Sequence, residues 1–443
     1  MKHTKRRTVM SLGKKIGMTL CAAGLLAGLG ARAFAVDIKA NVMMRGDLMR
    51  FEKDKKTGDT EYGWLLNNPV LQKDNPGDGL ILEVDAGIAG AHLAMWYKSA
   101  VQANKGTTDY DDDDWLAYFR RTYVWFKPVD QLKIQVGYVG CDKHFKEKID
   151  EWKVGNPFAL TERDWYVHPA YINNNDAEGW GFGVEFRPID QLVFNAAITP
   201  GKKGSVATDP VDVNKVGMSE KASIYKKTGS DTVIAPWGAG VVYYWRDGIE
   251  FEASFRDGGK NAGGDGWRVV RLGAGIKNEK TYSFIQPIFG IDYKAADDAW
   301  KLNGMCFDLY SEYYLDAWTF ILHAPLTLRW SGDDNDMNYL EATLKAKYNT
   351  GSHGNMDDVS PYIQIGSNRD DAVYDAKDRA WRLNSDFSNT FNLSYVLGVN
   401  FKVAIAEIDV GVKYDMLSTF VQNADGGKSW KFSVPFLVKI KNF

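Results

Sequence analysis

Apolar and polar residues alternate one by one along much of this chain. Leu80, Leu82, Val84, Ala86 and Ile88 interleave with Ile81, Glu83, Asp85 and Gly87. Leu132, Ile134, Val136 and Tyr138 interleave with Lys133, Gln135 and Gly137. Trp180, Phe182, Val184 and Phe186 do so with Gly181, Gly183, Glu185 and Arg187, and Ile249, Phe251, Ala253 and Phe255 with Glu250, Glu252, Ser254 and Arg256. The same pattern runs through Trp318–Trp330, Leu340–Tyr348, Phe391–Phe401 and Phe432–Ile440. A period of two places one row on each face of a β-strand. About 18 strands are predicted, near 37–51, 79–88, 91–98, 115–127, 131–139, 179–187, 191–199, 236–246, 248–256, 266–277, 281–293, 299–314, 317–330, 336–348, 359–367, 390–402, 404–415 and 428–442. The weakest are 91–98 and 359–367, and without them the count is about 16. Helical spacing is confined to Phe145, Ile149 and Trp152, at i, i+4 and i+7.

The predicted connections alternate in length. Short ones carry turn chemistry: Gly87–Gly90, Pro128-Val129-Asp130, Pro188-Ile189-Asp190, Arg246-Asp247-Gly248, Asp316 and Lys402-Val403. Long polar ones are 52–78, 99–114, 140–178, 200–235, 257–265, 331–335, 349–358, 368–389 and 416–427. Phe126-Lys127-Pro128-Val129-Asp130-Gln131-Leu132 is echoed by Phe186-Arg187-Pro188-Ile189-Asp190-Gln191-Leu192, which reads as a reused hairpin turn rather than a ligand motif. Short turns on one rim and long loops on the other are the pattern of an all-β, antiparallel transmembrane β-barrel with short periplasmic turns and long extracellular loops. A soluble β-sandwich also has short strands and polar loops, but at this length it would divide into several domains, and no linker or composition shift cuts the chain. Aromatics gather at strand ends: Trp115, Tyr118, Tyr123 and Trp125; Tyr243, Tyr244 and Trp245; Tyr310, Tyr313, Tyr314 and Trp318; Trp330 and Tyr339. Rings in such clusters fit the two girdles where a barrel meets the lipid interfaces.

The N-terminus changes the picture of where the chain is found. Residues 1–15 carry Lys2, Lys5, Arg6, Arg7, Lys14 and Lys15 and no acid; residues 16–31 are uncharged and mostly apolar; Ala33-Phe34-Ala35 is a small-x-small site. Together they predict a signal peptide, residues 1–35, cut after Ala35, leaving 36–443 as a single barrel domain. The apolar core is shorter than the roughly 20 residues of a spanning helix. Arg6-Arg7 reads as part of the basic region, and Leu20 before Cys21 argues against lipidation. The chain has 54 Lys+Arg and 57 Asp+Glu; residues 1–35 hold seven of the bases and no acid, leaving 47 against 57, a net charge of −10. That balance argues against nucleic acid as a partner. Of the three cysteines, Cys21 leaves with the signal, and Cys141 with Cys306 is no disulfide framework.

Export signal, paired alternating strands, alternating loop lengths and the terminal Phe443 together resemble Gram-negative outer-membrane porins. The resemblance is architectural, covers roughly 36–443 and rests on no single motif. It implies a homotrimer in outer-membrane lipid, without a cofactor, through which ions and small hydrophilic solutes diffuse. In that class a terminal aromatic serves barrel assembly. Phe443 matches it, although the apolar row Phe432, Val434, Phe436, Val438, Ile440 has the other parity. The third long loop of trimeric porins narrows the lumen, and 140–178 holds the matching place. Its candidate constriction residues are Lys146, Glu147, Asp150, Glu151, Glu162, Arg163 and Asp164, with Lys143, Lys148 and Lys153 beside them.

The polar rows give candidate pore-lining residues: Glu83, Asp85, Lys133, Glu185, Glu250, Glu252, Arg256, Arg271, Arg329, Glu341, Lys345 and Lys347, joined by Asp409 and Lys413. Both signs occur, which suits a weakly selective channel with a transverse field. Asp111–Asp114, Asp333-Asp334-Asn335-Asp336 and Asp370-Asp371 read as solvated loops rather than calcium sites, since none has EF-hand spacing. No metal site is expected. A hydrolase would need a nucleophile and base. Beyond the signal, the histidines are His92, His144, His168, His323 and His353, with no G-x-S-x-G or H-E-x-x-H motif, and no catalytic residue is expected. A barrel that anchors long loops as a surface adhesin is the remaining alternative.

Overall fold

The structure, a computed structural model, describes residues 35–54, 58–67, 80–99, 115–140, 144–145, 158, 179–201, 225–228, 231–260, 266–329, 337–370, 372–375, 380–383, 391–417 and 428–441. The segment 1–34, the helix-spaced stretch beyond Phe145, and Phe443 lie outside them.

The strands are β1 (Ala35–Asp54), β2 (Thr60–Asn67), β3 (Leu80–Asp85), β4 (Ala89–Ser99), β5 (Trp115–Val129), β6 (Leu132–Val139), β7 (Gly179–Ile189), β8 (Leu192–Gly201), β9 (Tyr225–Thr228), β10 (Asp231–Ile234), β11 (Trp237–Tyr244) and β12 (Ile249–Lys260). They continue as β13 (Gly266–Lys277), β14 (Thr281–Lys294), β15 (Ala299–Leu315), β16 (Trp318–His323), β17 (Leu326–Arg329), β18 (Met337–Tyr348), β19 (Asp358–Asp370), β20 (Ala372–Asp375), β21 (Ala380–Leu383), β22 (Phe391–Val403), β23 (Ala406–Leu417) and β24 (Lys428–Lys441). Twenty of these form one antiparallel sheet, and β9–β10 and β20–β21 are separate hairpins.

Two pairs within that sheet each act as a single stave. β16 and β17 lie end to end, broken at Ala324-Pro325, and both pair with β15 and β18. β2 and β3 lie end to end against β1, which meets them over 45–53 and 35–40. The twenty strands therefore make eighteen staves. β24 pairs with β1 over 41–54, and β3 leads on through β4, so the pairings run in a circuit from the last strand back to the first. Among the described residues, the far edge of β2 carries no pairing.

Side chains sort by parity. The row that includes Leu344, Ile363 and Leu397 is exposed (Leu397 by 67%), and between those positions Thr343, Gln364 and Val396 are buried. Phe182, Phe186, Phe251, Leu272, Ile285 and Val412 belong to the exposed row. Facing the other way, Glu252, Arg256, Arg271, Gln286, Asp308, Glu341 and Lys413 are buried. The wall is greasy outside and polar inside, the reverse of a water-soluble protein, whose exposed apolar patches stay small.

The turns follow their residue chemistry. Val129 pairs with Leu132 and Ile189 with Leu192, so both copies of the echoed segment close two-residue turns, each next to a register shift. Asp247 and Gly248 have φ of 61° and 78°, which a tight hairpin needs at its two centres. Several expectations are corrected. β2 lies inside the stretch read as the loop 52–78, held by pairing with β1 although Thr60–Asn67 lacks clean alternation. Hairpins β9–β10 and β20–β21 occupy parts of 200–235 and 368–389, and β12 runs on to Lys260. The 349–357 connection belongs to the short-turn rim, where the Asn349 amide donates to Ala317 O at 2.7 Å. The turn expected at Lys402-Val403 sits at Ala404-Ile405. Of the aromatics read as girdle, Tyr243, Trp245, Tyr313 and Trp318 are exposed, but Tyr310 is buried on the inner face, because the cluster spans both parities.

Ala404 stands at φ 49°, a left-handed conformation that a Cβ disfavours, and its amide donates to Asp357 Oδ2 at 2.6 Å. Ala404→Gly is expected to raise unfolding stability by about 0.5–1 kcal/mol. Denaturant titration of the folded protein checks this, and a loss of stability would contradict the turn geometry.

Candidate functional site: the polar inner wall and its inward anchors

The inner wall carries buried polar groups side by side on neighbouring staves. Gln286 on β14 pairs in register with Asp308 on β15 and donates through Nε2 to Glu252 Oε2 on β12, at 3.2 Å. Arg271 on β13 places Nη1 3.9 Å from Glu252 Oε1. Asp308 Oδ1 lies 3.0 Å from His323 Nε2 on β16, and both side chains are 0% exposed. Farther along the wall, Lys413 Nζ meets Asp415 Oδ2 at 3.3 Å, and Lys347 Nζ donates to Asn400 Oδ1 at 3.2 Å, with Asp358 Oδ2 at 3.9 Å. Lys345 Nζ sits 3.6 Å above the centre of the Tyr362 ring, close enough for a cation–π contact. Opposite charges interleave here because a buried charge is tolerated only when paired or hydrogen-bonded.

The remaining candidates fall as follows. Glu83 Oε1 contacts His92 Nδ1 at 3.1 Å, and His92 stacks on Tyr123. Asp85 caps a turn, accepting from the Gly87 amide at 2.6 Å, so it serves the rim rather than the wall. Lys133 lies opposite Glu185 in register, with its Nζ 5.4 Å from the Trp125 ring. Glu341 accepts from Thr343 Oγ1 at 3.3 Å. Arg256 is buried on the inner face, and Asp409 faces Asn400 across the β22–β23 pairing. The side chain of Arg329, and all of Lys146, Glu147, Asp150, Glu151, Glu162, Arg163 and Asp164, lie outside the described residues, as do Lys143, Lys148, Lys153, Cys141 and His168. Cys306 is buried against Val269 and Ile288.

Three described residues of the 140–178 connection touch this wall. The Phe145 ring is buried, stacks on Phe284 at 5.3 Å and covers Gly273 and Gly275. A Cβ at Gly273 would come 2.6 Å from Cδ2 of that ring. The Phe145 amide donates to Glu252 Oε2 at 3.2 Å, and His144 Nε2 lies 2.8 Å from Glu250 Oε2. On another part of the wall, Phe158 is buried edge-on to Tyr362, its carbonyl accepts from Gln364 Nε2 at 2.9 Å, and its ring lies over Gly411. The connection therefore reaches the lumen at two separate places. Sequence reasoning did not single out Phe145, Phe158 or the Gln286–Asp308–His323 run as site residues. Gly273 and Gly275, two apart on an inner row, are the one sequence signal that marks a receiving notch. Among the described residues, no group of three or more His, Cys, Asp or Glu is placed to hold a metal ion.

No known family's sequence profile matches the chain. No curated protein matches it either. Solved structures do match in outline. An anion-selective porin from Comamonas acidovorans is 10% identical, with TM-score 0.47, over 92% of this chain and 100% of its own. A BenF-like porin from Pseudomonas fluorescens is 9% identical, with TM-score 0.46, over 92% and 98%. The outer-membrane OmpT of Vibrio cholerae is 9% identical, with TM-score 0.43, over 93% and 99%. The solved structures that resemble this chain are thus outer-membrane porins and an outer-membrane protein. The likeness is one of outline and transfers no solute, selectivity or assembly.

Asp308→Ala is expected to cost about 1–3 kcal/mol, because it strips a hydrogen-bond partner from the buried His323. Asp85→Ala at the exposed turn is expected to cost less than about 1 kcal/mol. Parallel denaturant titrations compare the two, and equal small losses would show that the inner pair is not buried.

Proposed function

We propose that the chain is an outer-membrane porin, a lipid-embedded barrel for passive diffusion of ions and small polar solutes. One observation carries this reading: the eighteen-stave circuit is apolar on its outside and charged on its inside. A barrel of 16–18 strands is wide enough for an aqueous lumen. Lipid is the medium in which an exposed apolar row costs nothing, and closure satisfies the backbone where water is absent. Export with residues 1–35 removed after Ala35, and assembly as a homotrimer, belong to the same proposal. Interleaved acids and bases along the wall suit weak selectivity rather than a single-sign filter. The adhesin reading, in which the barrel only anchors loops, is favoured by one observation: Gln286, Asp308 and His323 are 0% exposed, as inner groups would be in a filled lumen.

Single-channel recording of the refolded chain 36–443 in planar bilayers separates the two. Discrete open steps are expected; folded, inserted protein without conductance would overturn the porin reading and favour an anchor. Placement in lipid has its own test. Leu397→Arg, in the exposed row, is expected to lower folding stability in lipid by about 2–4 kcal/mol. A change near zero, as at a water-facing surface, would overturn the embedding.

A further inference from the structure

Three hydroxyls interrupt the apolar outer wall close to the short-turn rim. Thr281 and Ser283 lie at the start of β14, and Ser283 stands in register with Ser311 on β15. All three have the outward parity of Ile285 and Leu309, which are exposed. Thr281 Oγ1 donates to the Glu312 carbonyl at 2.8 Å. Ser283 Oγ lies 2.7 Å from Thr281 Oγ1 on one side and 2.7 Å from Ser311 Oγ on the other. Three contacts share three hydroxyl protons, so one arrangement alone makes all of them hydrogen bonds. In it Thr281 donates to the carbonyl, Ser283 to Thr281, and Ser311 to Ser283. The Ser311 proton is then committed, and among the described residues its oxygen has no other partner. Hydrogen bonds in a chain polarise one another, and an oxygen that donates into the chain is the better acceptor for it. The relay therefore ends on the outer wall at Ser311 as an acceptor with no proton to give.

An apolar groove crosses the outer wall from the same serine. Leu322, Leu344 and Ile365 continue the row of Ser311 in register across β16, β18 and β19. In the next row towards the rim, the exposed rings of Tyr313 and Phe320 are followed by Ala346, whose small side chain leaves the groove open beside Leu344. Trp318, exposed and 4.8 Å from the Tyr348 ring, stands nearer the rim again. Such rings mark the level of lipid head groups, so the hydroxyls lie where a head group meets its tail. A ligand that fits has an aliphatic tail and a head that donates. A primary ammonium offers three N–H groups and a charge, whereas a quaternary ammonium has the charge and no proton. We propose that Ser311, at the end of the Thr281–Ser283 relay, and the groove beside it bind one phospholipid that carries a primary ammonium head group. The proposal rests on the lipid-embedded part of the porin reading and not on conductance.

The test inserts the chain 36–443 into vesicles of mixed dioleoylphosphatidylethanolamine and dioleoylphosphatidylcholine, which share their tails and differ in the head. The barrel is extracted in mild detergent, and the lipid that stays bound is counted by mass spectrometry. The unmodified protein is expected to retain the ethanolamine lipid roughly tenfold over the choline lipid, the size of effect that one hydrogen bond to a charged group carries. Ser311→Ala is expected to remove the preference, and Ser311→Thr, which keeps the hydroxyl, to preserve it. Thr281→Val frees Ser283 to turn its proton towards Ser311, which then points its own proton outwards. The preference is expected to fall there too, although the substituted residue does not touch the head group, and this variant decides the matter if Ser311→Ala does not fold. Equal retention of the two lipids by the inserted, unmodified barrel would overturn the proposal and leave the embedding intact. An unchanged preference in Ser311→Ala would do the same. Failure of the unmodified chain to insert would overturn the embedding and this proposal together.

Discussion

Most amides and carbonyls in this wall find a partner on a neighbouring strand through the circuit of pairings, the far edge of β2 being an exception among the described residues. A strand left open in an apolar medium would strand several polar groups, each costing several kcal/mol. The length of β1 follows from this constraint. Its twenty residues serve β24 on one edge and β2 with β3 on the other. The placement of three prolines follows too, while Pro287 and Pro361 sit within unshifted ladders. Pro128, Pro188 and Pro435 each fall at or beside a register shift, where the ladder does not need the missing donor.

Once the backbone is satisfied in a ring, the two faces are free to differ, and the alternation of the sequence decides how. Outward positions need only be apolar. Inward positions hold charges that are close-packed, and the interior therefore resembles a set of paired networks rather than a smooth polar lining. Asp308 with His323, and Lys413 with Asp415, are buried as partners, because either group alone would bear the desolvation penalty. The inner wall also holds apolar ground. Val269, Ile288 and Cys306 make one patch, and Phe145, Phe284 and Tyr310 another. Phe145 packs in the second of these, and Phe158 in a third with Tyr362, Val396 and Leu437.

The parts of the fold that were legible in the sequence are those governed by the period of two. All eighteen segments read from alternation are staves, including the weak ones at 91–98 and 359–367, which are β4 and β19. Their pattern is blurred by Gly90, Ala91 and Ala94 and by Pro361, but ladders on both sides fix them. β2 was not legible. Its Trp64-Leu65-Leu66 run breaks the alternation, and its strand state comes from β1 rather than from its own residues. The inner charges Glu252, Arg271, Glu341 and Lys413 were legible for the same reason as the strands. Gln286 and Asp308 share their row but carry no signal apart from parity. The aromatic anchors were least visible, because their partners lie far away: Phe145 is 107 residues from Glu252 and Phe158 is 206 from Gln364.

Both anchors combine a buried ring, a glycine beneath it and a hydrogen bond from or to the anchor's own backbone. The pairing of these features is informative. A ring alone would slide along an apolar patch, since hydrophobic contact has no direction. A backbone hydrogen bond alone contributes only about 1 kcal/mol net, too little to order a long connection. Together the notch fixes where the ring sits and the polar group fixes how the chain enters. At Gly273 an added Cβ would meet the Phe145 ring first, whereas at Gly411 it would meet the Leu397 carbonyl and Gly398 Cα before the Phe158 ring. The wall thus carries two kinds of information along the same strands: alternation, which builds the barrel, and the local absence of a side chain, which says where the connection attaches.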